Sequence, residues 1–136
     1  MKYLVDANVL SEATRPKPSP AVVQWLRDHE SELVVTPIVL GEIEYGILLI
    51  PAGKKRTQLQ LWFRQGVQRL RVFDLDAGTA GVWAALLARL KRKGQAMPVK
   101  DSLIAASAIQ HQLSIVTRNV ADFRHAGVPV IDPFVG

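Results

Sequence analysis

The chain has 136 residues, 49% of them hydrophobic, a formal net charge of +5 and no cysteine. The length suits one domain over residues 1–136, the apolar share excludes a disordered chain, and the missing cysteine excludes disulfides, thiolate metal sites and cysteine nucleophiles. An acid as early as Asp6 argues against a signal peptide, and the apolar runs are too short to span a bilayer, so a soluble cytoplasmic protein without membrane contact is expected.

Short apolar runs alternate with longer helical patterns along the chain. Strands are expected over 2–5, 33–36, 70–74, 114–117 and 128–131. Helices are expected over 9–13, 20–29, 37–49, 54–68, 77–93 and 101–112, with a short one over 120–124. The proline-rich piece 15–20 reads as an interhelical loop. Ser19 and Thr36 each precede a proline, the pattern of an N-cap followed by proline at the first helical position. Asp76 is the expected N-cap of the helix from Ala77, and Gly94 ends that helix after a basic last turn. Strands that are apolar throughout and separated by helices imply an α/β fold with a parallel sheet covered on both faces. Ligands in such folds bind beyond the carboxyl ends of the strands, near a switch in strand order.

Three carboxylates stand where a core would normally exclude them. Asp6 closes the run Tyr3-Leu4-Val5, Glu42 interrupts the apolar stretch from Ile38 to Ile50, and Asp101 opens the stretch from Leu103 to Ile109. Each has an ordinary explanation. Asp6 suits a turn or a cap, although Asn8 fills the cap role equally well. Glu42 shares a helical face with Ile38, Val39, Tyr45, Gly46 and Leu49, and a boundary residue there can reach water. Gly41 and Gly46 beside it suggest a close backbone approach. Asp101 suits a helix N-terminus. Asn119 can cap the helix near Val120, with Asp122 in a capping-box position, or offer an amide oxygen to a metal. Should the three acids converge, their mutual repulsion requires a cation, and a divalent metal fits.

The ordered set of motifs resembles the PIN-domain family, especially the VapC-type and FitB-like toxins of bacterial toxin–antitoxin pairs. The matching pieces are Leu4-Val5-Asp6-Ala7-Asn8-Val9-Leu10-Ser11-Glu12, Thr36-Pro37-Ile38-Val39-Leu40-Gly41-Glu42, Gly53-Lys54-Lys55-Arg56, Asp101-Ser102-Leu103-Ile104-Ala105-Ala106 and Thr117-Arg118-Asn119 with Asp122-Phe123. The resemblance implies a three-layer α/β/α sandwich around a central parallel five-stranded sheet. It also implies a metal-dependent endoribonuclease, often a homodimer, with Asp6, Glu42 and Asp101 as the acidic core that binds Mg²⁺ or Mn²⁺. Oxygen-only ligands agree with those ions rather than zinc. Ala7 stands where the family often has Thr, and Asn119 where many members carry a fourth acid, which implies weaker binding of a second metal. On this resemblance Asp6, Glu42, Asp101 and Asn119 are the expected catalytic set.

Among the basic residues, Arg118 adjoins the expected site and suits a phosphate, whereas the cluster ending at Lys93 reads as a helix C-terminus. The aromatic residues are few and not interleaved with the bases, so recognition of RNA is expected to rest on backbone charge and shape. The resemblance further implies a small antitoxin that inserts a helix near the site. Apolar residues of the third and fourth helices, including Ile47, Leu48, Ile50, Leu59, Leu61, Trp62 and Phe63, would be mostly core, with a remaining exposed strip to receive it. Two other readings stand beside this one: a catalytically weak or inactive module that binds RNA or a protein, and metal-free acid–base catalysis by His29, His111 and His125.

Overall fold

Five parallel strands carry the chain: β1 (Tyr3–Val5), β2 (Leu33–Val35), β3 (Arg71–Val72), β4 (Ser114–Val116) and β5 (Val130–Ile131). Between them lie α1 (Ala7–Leu10), α2 (Pro20–Asp28), α3 (Pro37–Leu48), α4 (Lys54–Gln65), α5 (Ala77–Arg92), α6 (Val99–His111) and α7 (Val120–Phe123). The computed structural model describes residues 2–135. The sheet order is β3-β2-β1-β4-β5, with every neighbouring pair parallel. The expected three-layer α/β/α sandwich is what forms.

Register explains why the central strands are uniformly apolar. Leu4 lies between Val34 and Ile115, and Val5 beside Val116. Leu4, Val5, Val34, Val35, Ile115 and Val116 have no exposed surface, because helices cover both faces. The edge strands are shorter than expected. β3 opens on exposed Arg71, and Pro129 stands immediately before β5, where it lacks an N–H for the ladder.

The expected caps are present. The Ser19 and Thr36 hydroxyls accept from the Val22 and Val39 amides, each followed by proline. Asp76 and Thr79 form a capping box, and the Gln110 side chain of α6 bonds both residues, tying α6 to the start of α5. These hydrogen bonds, that of the Thr79 amide foremost, hold the Asp76 carboxyl down at about 2. Gly94 follows α5 with φ 65°, a left-handed conformation that suits glycine.

Four expectations need correction. The first helix starts at Ala7 rather than Val9 and passes into a 3-10 turn over Ser11–Thr14. The helix from Lys54 stops at Gln65; after Gly66 a separate 3-10 turn spans Val67–Arg69. The buried line of α3 is Val39, Ile43 and Ile47, whereas Tyr45 and Leu49 of the expected face are exposed. Apolar residues surround α3, so spacing alone cannot orient it. Gly41 and Gly46 have open space where a side chain would begin, so neither serves a close backbone approach within the chain.

Strand order reverses between β1 and β4, and this reversal positions the site. α3 leaves the carboxyl end of β2. α6 runs back before entering β4, so its first turn lies over the same rim. Among the described residues, no helix is long and apolar enough to cross a membrane.

The turn from α6 into β4 forces Gln112 into the left-handed region (φ 56°, ψ 48°), while the Leu113 amide bonds back to the Ala108 carbonyl at 2.9 Å. Only this non-glycine residue among those described has positive φ. Gln112→Gly is expected to raise stability by about 0.5–1 kcal/mol, read from urea unfolding.

Candidate active site

Asp6 and Thr117 follow β1 and β4 directly, so the switch in strand order sets them side by side. The Asp6 amide bonds the Val116 carbonyl at 2.9 Å, carrying the β1–β4 ladder one residue further. The Thr117 hydroxyl then donates to Asp6 Oδ2 at 2.8 Å. It accepts from Asn8 Nδ2 (3.2 Å) and from the Asn119 amide (3.1 Å). Asn8 Oδ1 in turn accepts from the Arg118 amide at 3.1 Å, so Asn8 bridges the ends of the two strands. Asp6 Oδ1 accepts from the Ala7 amide at 2.9 Å. Asp6 itself is therefore the N-cap of α1, and Asn8 does not take that role.

The other two acids arrive from helices. α6 begins at Val99, two residues before the expected start, because Pro98 occupies the cap position. Asp101 thus lies within the first turn and caps nothing. Its position is set by neighbours: Ser102 Oγ donates to the Val99 carbonyl (2.6 Å) and accepts from Trp83 Nε1 (2.9 Å), pinning this turn to α5. Glu42 projects from α3, with its Oε2 2.8 Å from Lys100 Nζ. Its Oε1 is buried and has no hydrogen-bond partner.

Asp6 and Asp101 are 5% and 8% exposed, low enough for solvent to screen their charges poorly. Burial, then the charges of Asp6 and Asp122, raises the Asp101 carboxyl to about 6. Burial also raises Asp6, and Glu42 adds to it, against the hydrogen bonds from Thr117 and Ala7. Lys100 opposes both shifts, while Glu42 holds its ammonium more firmly protonated. Asp6, Glu42 and Asp101 therefore form one electrostatic cluster. Among the described residues, no three acidic or histidine side chains close round a common point in this arrangement.

Asn119 sits on the rim, exposed. Its side chain does not cap α7, and no capping box forms with Asp122. Asp122 is close enough to add to the charge felt by Asp101. The Arg118 guanidinium lies 4.5 Å from the Phe134 ring centroid and pairs with no carboxylate among the described residues. The histidines are engaged separately: His29 stacks on Trp25, His111 packs on Phe73, and His125 accepts from Arg124. They form no acid–base pair with one another. Thr117, Asn8, Ser102 and Lys100 belong to this architecture but were not anticipated. The signals available for two of them were the polar Thr117 closing an apolar strand and the lysine beside Asp101.

A family model described as PIN domain matches residues 3–128. The chain belongs to the PIN-domain family. Its relatives within the PIN family include VapC ribonuclease Y4jK of Sinorhizobium fredii, 34% identical over 96% of each chain. Toxin FitB of Neisseria gonorrhoeae is also 34% identical, over 96% of this chain and 97% of that one. The crystal structure of FitAcB from Neisseria gonorrhoeae superposes with a TM-score of 0.92 at 32% identity, covering 98% of this chain and 99% of that one.

Thr117→Val deletes the hydroxyl that donates to buried Asp6 and is expected to cost about 2 kcal/mol in urea unfolding, whereas Thr117→Ser retains most of it. Asp101 carries a carboxyl raised from 3.8 to about 6, so folding favours its protonated form. Its contribution to metal-free stability should fall as pH rises from about 4 to 6 and stay low above that. Asp101→Asn should be roughly 2–3 kcal/mol more stable than the wild type at pH 7 in EDTA, with the difference vanishing near pH 4.

Proposed function

We propose that the chain is a divalent-metal-dependent endoribonuclease acting as the toxin of a toxin–antitoxin pair. The observation that supports this reading is the electrostatic coupling of Asp6, Glu42 and Asp101 beside the strand-order switch of a PIN domain whose relatives include a VapC ribonuclease. The residues suit a hard cation. All candidate donors are oxygens, the carboxyls of Asp6 and Asp101 are raised by burial and crowding, and Glu42 keeps a buried oxygen without a partner.

Asp6 and Asp101 are the principal holders of Mg²⁺ or Mn²⁺ in this reading. Glu42 completes the set or orients the attacking water, and Asn119 assists from the rim. Such an ion supplies Lewis-acid stabilisation of the phosphate and a water acidified toward neutrality. Thr117 keeps Asp6 aimed, through its donated hydrogen bond. Arg118, steadied on Phe134 and paired with no carboxylate among the described residues, offers its guanidinium to an RNA phosphate. The net charge of +5 favours approach of that polyanion.

The partner reading rests on the helical layer beside the site. A cleft of about 340 Å³ shares Ala7, Asn8 and Glu42 with it and continues past Ile50, Leu59 and Trp62. Tyr45, Leu48, Leu49 and Leu61 of the same two helices are exposed but do not line the cleft, while Ile47 and Phe63 are core. The apolar wall of the cleft suits an inserted helix of a small antitoxin, and structures sharing the fold include FitAB and VapBC complexes. Copurification of the chain with a small protein encoded beside it tests the pairing. Assembly as a homodimer belongs to the same reading and is checked by sedimentation.

Asp6→Asn and Asp101→Asn should each lower Mg²⁺-dependent cleavage of a mixed RNA pool by more than roughly 100-fold while the chain stays folded. EDTA should stop cleavage by the wild type. Equal cleavage by wild type and both variants refutes the assignment. Absence of cleavage at any Mg²⁺ concentration, with RNA or protein binding retained, favours the inactive-module reading.

A further inference from the structure

Lys100 stands in the first turn of α6, where the helix dipole disfavours a cation. A half-exposed lysine in that position would ordinarily extend into water. Here the side chain crosses instead to α3 and places Nζ 2.8 Å from Glu42 Oε2. Two ion pairs are found among the described residues, and only this one joins residues distant in sequence. The cause lies in the cluster that it faces. Asp6, Glu42 and Asp101 all act on Lys100 as negative charges, and it is the cation that offsets them.

We infer that Lys100 is the internal counter-ion of this site: it holds Glu42 in the metal-free chain and must release that carboxylate for a divalent ion to be shared by Asp6, Glu42 and Asp101. The inference rests on the proposed metal-dependent reading. Three features make Lys100 a competitor of the ion rather than its support. Its ammonium repels any cation held by the neighbouring carboxylates. It engages one oxygen of Glu42 while the other stays buried and unpartnered. With Lys100 in place, no three acids among the described residues gather round one point.

Release is cheap. The Lys100 side chain is 51% exposed, so the ammonium regains water as it leaves, and an exposed ion pair contributes little to stability. The consequence is a raised loading threshold. The acids hold a divalent ion less tightly than they would alone, and their repulsion is relieved when no ion is bound.

The experiment measures Mn²⁺ binding by electron paramagnetic resonance, together with melting in EDTA and in Mn²⁺. It compares the wild-type chain with K100M, K100Q, K100R and D101N. K100M and K100Q are expected to bind Mn²⁺ on the order of tenfold more tightly, as removal of a nearby like charge requires. K100R, which keeps the charge, should stay within about twofold of wild type. In EDTA, K100M and K100Q should melt below the wild type and gain more from Mn²⁺. Unchanged or weaker Mn²⁺ binding by both neutral variants, with binding by the wild type lost in D101N, overturns the counter-ion role alone. If neither wild type nor neutral variants bind Mn²⁺, the metal-dependent reading fails and takes this inference with it.

Discussion

Repulsion among carboxylates gathered at the carboxyl rim of a parallel sheet is the constraint on which this structure turns. The sheet register makes part of it unavoidable. Once β1 and β4 pair, Asp6 and Thr117 emerge together, and the Thr117 hydroxyl, the Ala7 amide and Asn8 supply Asp6 with donors. Asp101 has no such compensation: no hydrogen bond contributes to its shift, and its carboxyl is raised by burial and by its acidic neighbours. A site with these features lowers the stability of the metal-free fold. The surrounding core, with Leu4, Val5, Ile104 and Val116 wholly buried, supplies the apolar stabilisation that tolerates it.

Most of the architecture was legible because its signals are local. Alternation of short apolar runs with helical stretches announced a parallel sheet, and all five strands lie within their expected stretches. Caps at Ser19, Thr36 and Asp76 were readable because a side chain and a proline or glycine declare them within a few residues. Failures came where tertiary packing decides. The face of α3 could not be chosen, since Leu48 and Leu49 look as core-like as Ile43 and Ile47 until a neighbouring layer is placed. The ends of β3 and β5 depend on having one strand partner each, which no local pattern reveals.

The candidate site divides in the same way. Asp6, Glu42 and Asp101 stood out because each interrupts apolar sequence, and the structure makes them neighbours in one field. Their local explanations held unevenly. Asp6 caps α1, a role the sequence offered equally to Asn8, whereas Asp101 and Asn119, which also suited caps, make no side-chain cap. Capping depends on where a helix actually starts, and Pro98 moved that start to Val99. Lys100 and Thr117 were missed for a different reason. Each acts on a residue far away in sequence, Lys100 on Glu42 and Thr117 on Asp6, so its position could be noticed locally but its partner could not.

The supports of the three acids are unequal, and the inequality bears on mechanism. Asp6 is held by the sheet ladder and by several donors, which makes it the fixed member. Asp101 sits on a backbone turn pinned by Ser102 and Trp83, but no hydrogen bond from the chain contributes to the state of its carboxyl. Glu42 is tied only through Lys100, by an oxygen facing the more exposed side. On the proposed reading, an arriving ion meets one rigid ligand and two whose carboxylates can adjust to it. Mg²⁺ demands near-ideal octahedral geometry, and a cluster with one fixed and two adjustable oxygen donors can meet that demand without distorting the strands. On the same reading, the β1–β4 junction would fix where an ion is held, while the side chains from α3 and α6 would adapt to it.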